Sequence, residues 1–170
     1  MQTGGTMNKL VKIIERFKGK KILVLGDVML DKYIWGDVSR ISPEAPVQVV
    51  NVNKESYAPG GAANVASNIA ELGAKAWMIG VVGNDSTKTK LVNEIRKRNV
   101  NADYLVQDDE KRTILKVRVF GRNQQLLRFD YEKKGDVSIS TEEKLLNAVK
   151  KIISRVDGVI ISDYAKGAIT

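Results

Sequence analysis

Residues that could bind a polyhydroxylated ligand follow predicted strands and turns. The Asp31 carboxylate, just beyond an apolar run at 21–25, could accept hydrogen bonds from sugar hydroxyls, cap a loop or be a surface charge. Gly60 and Gly61, with Pro59, form a predicted turn that opens a helix, where backbone N–H groups and the helix dipole attract oxygens and anions. Asn64 could contact hydroxyls through its amide or cap that helix. Ligands of open parallel sheets bind beyond the carboxyl ends of the strands, so these positions form a candidate site.

Basic residues form a second group of candidates. Arg118, Arg122 and Arg128 lie in or between two strand-like segments and could clamp a phosphate bidentately. The competing interpretation, favoured for any single arginine, is the solvated face of an edge hairpin, where charges prevent aggregation. Lys166 could also contact a phosphate, although one lysine does not define such a site.

The composition removes several kinds of catalysis. The sequence contains no cysteine and no histidine, which excludes disulfides, thiol catalysis, Ser-His-Asp hydrolysis and zinc sites built from Cys or His. Proton transfer must therefore use Asp, Glu, Lys or Tyr. The P-loop pattern (GxxxxGK followed by Ser or Thr) and the dinucleotide-binding pattern GxGxxG do not occur, so nucleotide binding of those two kinds is excluded as well.

The charge is basic but dispersed. A total of 28 Lys and Arg residues against 20 Asp and Glu residues gives a formal net charge of +8. Such a balance can indicate nucleic acid, an anionic membrane or small phosphorylated ligands. Few aromatic residues are interleaved for base stacking, so a solvated surface is favoured over nucleic-acid binding. No apolar run approaches the roughly 20 residues of a membrane span, and no secretory signal is found. We expect a soluble cytoplasmic protein that binds neither nucleic acid nor membrane.

Alternating apolar segments predict an α/β fold with a mainly parallel sheet flanked by helices. Residues 29–52 predict a loop and one or two exposed strands, because they contain two prolines. The segments 113–120 and 125–131 carry charges at alternate positions, which predicts an antiparallel hairpin with one polar face. The other predicted elements are strands 21–25, 76–82, 103–106 and 159–161, helices 64–72 and about 91–95, a helix from the capping box 140–143 onward, and an opening helix through Leu10, Ile13, Ile14 and Phe17 to Gly19.

The motif residues resemble the ribokinase-like (PfkB) carbohydrate kinases. The segment GGAANVA at 60–66, with Gly73 and Gly83 at their spacings, resembles the first signature of that family, and GDVMLD at 26–31 resembles its first strand and sugar-binding aspartate. The narrower resemblance is to D-glycero-β-D-manno-heptose 7-phosphate kinases, and it is carried by GDVMLD, by SRISPEAPV at 39–47, by RNQQ at 122–125 and by SDYAKG at 162–167. Gly121 stands where a serine is expected.

The resemblance implies roles for eight residues. Asp31, Gly60, Gly61 and Asn64 match the sugar-binding positions of the family. Candidates for contacts with the 7-phosphate, which needs cationic partners, are the basic residues of the narrower motifs: Arg40, Arg122, Arg128 and Lys166. A small antiparallel β lid is expected from segments at about 33–52 and 113–131, through which kinases of this family often form homodimers.

The implied reaction is phosphoryl transfer from ATP, with Mg²⁺ bridging phosphates, to the anomeric hydroxyl of the heptose 7-phosphate. The product would enter ADP-heptose and lipopolysaccharide core synthesis. The general base of the family is an aspartate in a Gly-Ala-Gly-Asp motif of its C-terminal half, and this motif does not occur here. We therefore expect residues 1–170 to be the N-terminal portion of one kinase domain. No catalytic residue is expected in it, and the chain alone should be inactive.

Two further expectations follow from a partial domain. An unpaired strand edge and uncovered apolar faces should make the isolated chain aggregation-prone or oligomeric. The alternative function, of a different class, is a catalytically silent sugar-phosphate-binding or interaction module with the same fold.

Overall fold

A computed structural model of the chain describes residues 11–122 and 124–169. Residues 11–15 are helical and residues 16–19 form a turn, so the predicted opening helix ends four residues before Gly19; Leu10 lies outside the described residues. The strands are β1 (Lys21–Gly26), β2 (Val28–Ile41), β3 (Gln48–Gly61), β4 (Lys75–Ile79), β5 (Val81–Val82), β6 (Val100–Asn101), β7 (Val106–Gln107), β8 (Ile114–Gly121), β9 (Gln124–Tyr131) and β10 (Gly158–Ser162). The helices are α1 (Ala62–Glu71), α2 (Ser86–Arg96) and α3 (Ile139–Ile152), and α3 continues into a 3₁₀ turn at Ile153–Arg155.

The first sheet has the order β10-β1-β4-β6, and all its strands are parallel. Alternate side chains of each strand point to opposite faces and so build two cores. On β1, Val24 packs in the core with α1 and α2, whereas Leu23 packs in the core with α3. The neighbouring β4 divides in the same way, with Met78 in the first core and Ile79 in the second. This layering confirms the predicted α/β fold with a parallel sheet.

The second sheet, which we call the mixed sheet, has the order β3-β2-β8-β9. Its outer pairs, β2–β3 and β8–β9, are antiparallel hairpins, and a parallel β2–β8 pair joins them. The hairpin predicted at 113–131 is confirmed. The region 29–52 is more regular than the sequence indicates, because β2 and β3 are each 14 residues long.

Several element boundaries were predicted wrongly. Gly60 and Gly61 do not form a turn; they end β3, and α1 starts directly at residue 62. Residues 103–105 are not a strand, and the run 76–82 divides into β4 and β5 at Gly80. A Cβ atom at Gly80 would lie 2.5 Å from the carbonyl oxygen of Gly26, so the backbones approach too closely there for a side chain.

Helix caps explain where α2 and α3 begin. The Asp85 side chain accepts a hydrogen bond from the Lys88 N–H at 2.9 Å and caps α2. For α3, the cap is Ser138, whose hydroxyl accepts from the Thr141 N–H at 3.2 Å. The capping box predicted at Ser140 is therefore wrong by two residues. Among the described helices, not one is both long and apolar enough to cross a bilayer.

Candidate functional site

An open cleft of about 370 Å³ lies between the mixed sheet and the N-terminus of α1. It is beyond the carboxyl end of β1, where parallel sheets bind their ligands. Its size is at the lower end of the range for small-molecule sites. The residues that line it are Met29, Asp31, Tyr33, Ala58, Pro59, Gly60, Gly61, Asn64, Lys116, Arg118, Arg128 and Tyr164.

Two glycines form the floor of the cleft at the junction of β3 and α1. A Cβ atom at Gly60 would lie 2.6 Å from Oδ2 of Asp31, so a side chain there would displace the carboxylate. Gly61 has φ of 55°, and a Cβ atom at this position would lie 2.4 Å from the Asp27 carbonyl oxygen. No side chain caps the first turn of α1, and the exposed Asn64 follows in that turn. The floor can therefore present backbone and amide groups to oxygen atoms of a ligand.

Asp31 and Arg118 form an ion pair across the β2–β8 junction. Nη1 of Arg118 donates to Oδ1 of Asp31 at 2.5 Å. The Arg118 side chain is only 22% exposed and the Asp31 side chain only 16%. The Arg118 guanidinium also lies 5.6 Å from the centre of the Tyr33 ring. Such a partly shielded, charge-assisted hydrogen bond is stronger than a pair on the open surface.

Further charged side chains, from β8, β9 and the segments that follow β9 and β10, form a continuous series of ion pairs. Arg128 donates to Asp130 from Nε at 3.0 Å and from Nη2 at 2.8 Å. Lys116 binds Asp130 at 2.8 Å and lies 3.9 Å from Oε2 of Glu132, whose other oxygen accepts from Lys166 at 2.9 Å. We call these five residues the ion-pair series. The hydrogen bonds from Arg128 hold the pKa of Asp130 well below its usual range; burial opposes this effect, and Lys116 adds to it.

Asp27 organises the loop that follows β10. Its side chain is buried, with 3% of its surface exposed, and it accepts three backbone hydrogen bonds, from the N–H groups of Tyr164 (2.8 Å), Lys166 (3.1 Å) and Ala168 (3.1 Å). These bonds place Tyr164 at the cleft and Lys166 beside Glu132. Asp27 thus fixes the position of this loop by binding its backbone N–H groups.

The family to which the chain belongs is shown by the match of its sequence to a known family. Residues 19–170 match the family described as "pfkB family carbohydrate kinase". The chain belongs to this family. The predicted family membership is thereby confirmed, on nearly the whole chain.

Individual relatives agree with that membership. The chain is 46% identical over 160 residues to the bifunctional protein HldE of Sulfurimonas denitrificans. This match covers 94% of this chain and 33% of the relative. It is 50% identical over 153 residues to the protein of the same name from Shewanella amazonensis, covering 90% and 32%. The chain thus spans about one third of the length of these pfkB relatives.

The fold has solved counterparts. The structure of phosphofructokinase-2 from Escherichia coli in complex with fructose-6-phosphate superposes with a TM-score of 0.62 at 21% sequence identity. The match covers 85% of this chain and 45% of that chain. At this identity the likeness concerns the fold alone, and it confirms the predicted ribokinase-like class.

The structure brings most of the predicted site residues of this pfkB chain together. Asp31, Gly60, Gly61, Asn64 and Arg128 all line the cleft. Their role in binding stays a prediction.

The other three predicted site residues lie outside the cleft lining. Lys166 lines a smaller cavity beside Asp27 and connects to the cleft through Glu132. Arg40 pairs with Val49 near the far end of β2, roughly 30 Å from Asp31 at the usual rise of a strand. Arg122 occupies the β8–β9 turn, where its N–H donates to the Gly36 carbonyl at 3.1 Å. Contacts of these residues with a phosphate stay predictions.

Sequence reasoning left Lys116, Tyr33 and Tyr164 out of the candidate site. Lys116 was visible only as one of the alternating charges of β8. Arg118 was considered and then assigned to a solvated face, yet it contacts Asp31 directly. The signal that could have identified both is their register, since Lys116 and Arg118 lie on the same face of β8 and two residues apart.

The metal expected from the resemblance has no ligand cluster in the described part of the chain. Across residues 11–122 and 124–169, no group of three or more acidic side chains could hold a metal ion. The carboxylates of the cleft are paired with lysine and arginine.

Proposed function

We propose that this chain forms the sugar-binding side of a carbohydrate kinase that acts on D-glycero-β-D-manno-heptose 7-phosphate. The complete enzyme would transfer the γ-phosphate of ATP to the anomeric O1, in the cytoplasm, on the route to ADP-heptose and the lipopolysaccharide core. Membership in the pfkB family, the HldE relatives and the motif resemblance support this proposal. The observation that carries it is one cleft that combines hydroxyl-binding groups with several cations.

The two halves of a sugar phosphate would find different partners in the cleft. Asp31 would accept hydrogen bonds from sugar hydroxyls, and the glycine floor would let the ring approach the first turn of α1. Asn64 would bind a further hydroxyl through its amide. At the opposite side, Arg128, Arg118 and Lys116 would face the 7-phosphate, which carries up to two negative charges near neutral pH.

The transfer itself needs groups beyond those described. The anomeric oxygen would attack the γ-phosphorus, its proton would pass to a base, and the bond to the ADP leaving group would break. ATP supplies the phosphoryl group, and Mg²⁺ would neutralise its charge. Following the resemblance, we assign the base to an aspartate of a Gly-Ala-Gly-Asp motif that is absent from this sequence. The described residues would hold and orient the acceptor sugar.

The direct test is calorimetric titration of this chain with heptose 7-phosphate, with and without Mg-ATP, followed by an assay for ADP release. Binding without turnover is the expected result. Turnover would show that the base lies within these residues and would overturn its assignment. A matched control is Arg96→Gln, which alters an exposed ion pair with Asp103 away from the cleft and should leave binding unchanged.

A silent binding module is the second candidate function. It would have the same cleft and bind the same sugar phosphate, so binding by this chain does not distinguish the two. It is motivated by the sequence of residues 1–170, in which the Gly-Ala-Gly-Asp motif does not occur. Phosphate transfer by the full-length protein would exclude the silent module, and binding without transfer by the full-length protein would exclude the kinase.

We also propose that the protein forms a homodimer through the mixed sheet. Its face opposite the cleft exposes three large apolar side chains of the outer strand β9: Leu127, Phe129 and Tyr131. Exposed apolar patches of this kind mark association surfaces. Sedimentation velocity should show a dimer, and Phe129→Lys should shift it toward monomer. A monodisperse monomer of the unsubstituted chain would contradict the proposal.

A further inference from the structure

We infer that Arg118 is a specificity-determining residue that couples hydroxyl binding at Asp31 to the presence of a phosphate on the ligand. The inference rests on the proposed function and concerns the same cleft. In the structure Arg118 donates to Oδ1 of Asp31, an oxygen atom that could accept a hydrogen bond from a sugar hydroxyl. A phosphorylated sugar can draw Arg118 away with its own negative charge, whereas an uncharged sugar cannot.

The first argument is that Arg118 holds one oxygen of Asp31. Oδ1 accepts from Arg118 at 2.5 Å, whereas Oδ2 lies on the side of Gly60, where a Cβ atom would come within 2.6 Å of it. A hydroxyl that takes the position of the guanidinium at Oδ1 must therefore displace it. The displacement breaks a partly buried ion pair, which is costly unless the cation gains another anion.

The second argument is the pairing of the other cations. Arg128 is bound by Asp130, and Lys116 by Asp130 and Glu132, and these carboxylates lie on β9 or just after it. Within the part of the chain that the structure describes, Arg118 alone among the cleft cations hydrogen-bonds the carboxylate on the cleft floor. Release of Arg118 thus frees the Asp31 carboxylate, whereas release of Arg128 frees Asp130 and release of Lys116 frees Asp130 and Glu132.

The third argument is the position of Arg118 opposite Arg128. The two residues are direct partners in the antiparallel β8–β9 register. Like charges directly opposite each other on a sheet destabilise it, so an anion placed between them is attracted by both. A phosphate monoester fits this position, because each guanidinium can bind two of its oxygens. Binding would transfer Arg118 from Asp31 to the phosphate and leave Asp31 free for hydroxyls.

The experiment compares two ligands on three forms of the chain. Heptose 7-phosphate and the same heptose without phosphate are titrated calorimetrically into the unsubstituted chain, Arg118→Gln and Arg118→Lys. We expect the unsubstituted chain to prefer the phosphorylated sugar by about 100-fold, in line with two charge-assisted contacts. Arg118→Gln should reduce this preference about 10-fold or more, in part by binding the uncharged sugar more tightly. Arg118→Lys retains the cation and should keep most of the preference.

A second arginine variant separates this role from simple phosphate binding. Arg128→Gln removes a cation without freeing Asp31, so it should weaken binding of the phosphorylated sugar and leave binding of the uncharged sugar unchanged. A thermal melt of each variant checks that it is folded.

The outcomes distinguish the inference from the proposed function. If Arg118→Gln weakens only the phosphorylated sugar, as Arg128→Gln does, Arg118 is a phosphate ligand and the inference is wrong. If the unsubstituted chain binds both sugars equally, the inference is wrong as well. If no form binds either sugar, the proposed function falls and the inference falls with it. Tighter binding of the uncharged sugar by Arg118→Gln would support both.

Discussion

The two four-stranded sheets contribute to the cleft in different ways. The parallel sheet places apolar side chains on both faces and reaches the cleft through backbone, by way of the loop that Asp27 holds. The mixed sheet has one charged face, which supplies Asp31, Arg118 and three members of the ion-pair series: Lys116, Arg128 and Asp130. The difference shows that scaffold and chemistry are separated in this fold: one sheet fixes positions and the other provides the charges that would contact a ligand.

The largest expected difference between the sheets concerns apolar burial. Leu23 on β1 is fully buried, whereas Leu127 on β9 is 56% exposed. Leu23→Ala should lower the free energy of unfolding by about 4 kcal/mol, because it leaves a cavity between β1 and α3. The same change at Leu127 should cost less than about 1 kcal/mol. Urea denaturation of both variants measures this, and equal losses would contradict the assignment of the core.

A second test addresses the backbone route from the parallel sheet to the cleft. Asp27→Ala removes the acceptor of three N–H groups and should lower the free energy of unfolding by about 3 kcal/mol. The control is Asp163→Ala, which removes one exposed acceptor for the Ala165 N–H and should cost less than about 1 kcal/mol. If both variants melt alike, Asp27 does not organise the loop.

A third test concerns the contact between β3 and the charged face. Gly60→Ala places a Cβ atom 2.6 Å from the Asp31 carboxylate and 2.9 Å from Cγ of Met29. We expect a loss of about 2 kcal/mol in the free energy of unfolding from this overpacking. Gly158→Ala in β10 is the control, because the nearest atom there is a side-chain carbon of Ile22 at 3.6 Å, an ordinary contact. A loss at Gly158 as large as that at Gly60 would refute the steric explanation.

The smallest expected effect is the pH dependence of the charged face. The folded pKa of Asp130 is lowered by Arg128 and Lys116, so the folded state binds this proton less readily than the unfolded state. The ionised Asp130 carboxylate contributes fully to the free energy of unfolding above the unfolded pKa of about 4. This contribution is lost as the pH falls below that value. In acid denaturation curves, the free energy of unfolding of Asp130→Asn should therefore fall below pH 4 by about 1 kcal/mol less than that of the unsubstituted chain.

Asp103 provides the matched control for that measurement. Its pKa is also lowered, by the hydrogen bond from Arg96, but its side chain is mostly exposed. Asp103→Asn should change the acid profile less than Asp130→Asn, because solvent screens the exposed pair. The reverse order would mean that the series on β8 and β9 is no stronger than a surface pair.

The sequence predicts what depends on local periodicity. The apolar run at 21–25 identifies β1, and the alternating charges at 113–131 identify the β8–β9 hairpin, because strand side chains alternate with a period of two. The candidate residues Asp31, Gly60 and Asn64 follow from their positions after a predicted strand and at a predicted helix start, and the resemblance to continuous family motifs supports them. Local pattern failed at 103–105, where a short apolar stretch forms a turn between two brief strands.

Contacts between distant segments could not be predicted in this way. The role of Asp27 depends on backbone groups more than 130 residues away, and nothing in the local sequence reveals them. Arg118 was assigned to solvent because its partner lies 87 residues away on another hairpin. The ion pairs of this cleft depend on the register between strands. A single sequence indicates that register within one hairpin but not between two hairpins.

The parallel pairing of β2 with β8 also determines when the cleft can form. The hairpins β2–β3 and β8–β9 close over short loops, so each can form early and independently. Asp31 and Arg118 belong to different hairpins, 87 residues apart, and such distant pairs pay their loop-closure entropy late in folding. We therefore expect the cleft to form late in folding, when the two hairpins dock, and the Asp31–Arg118 ion pair to form at that step.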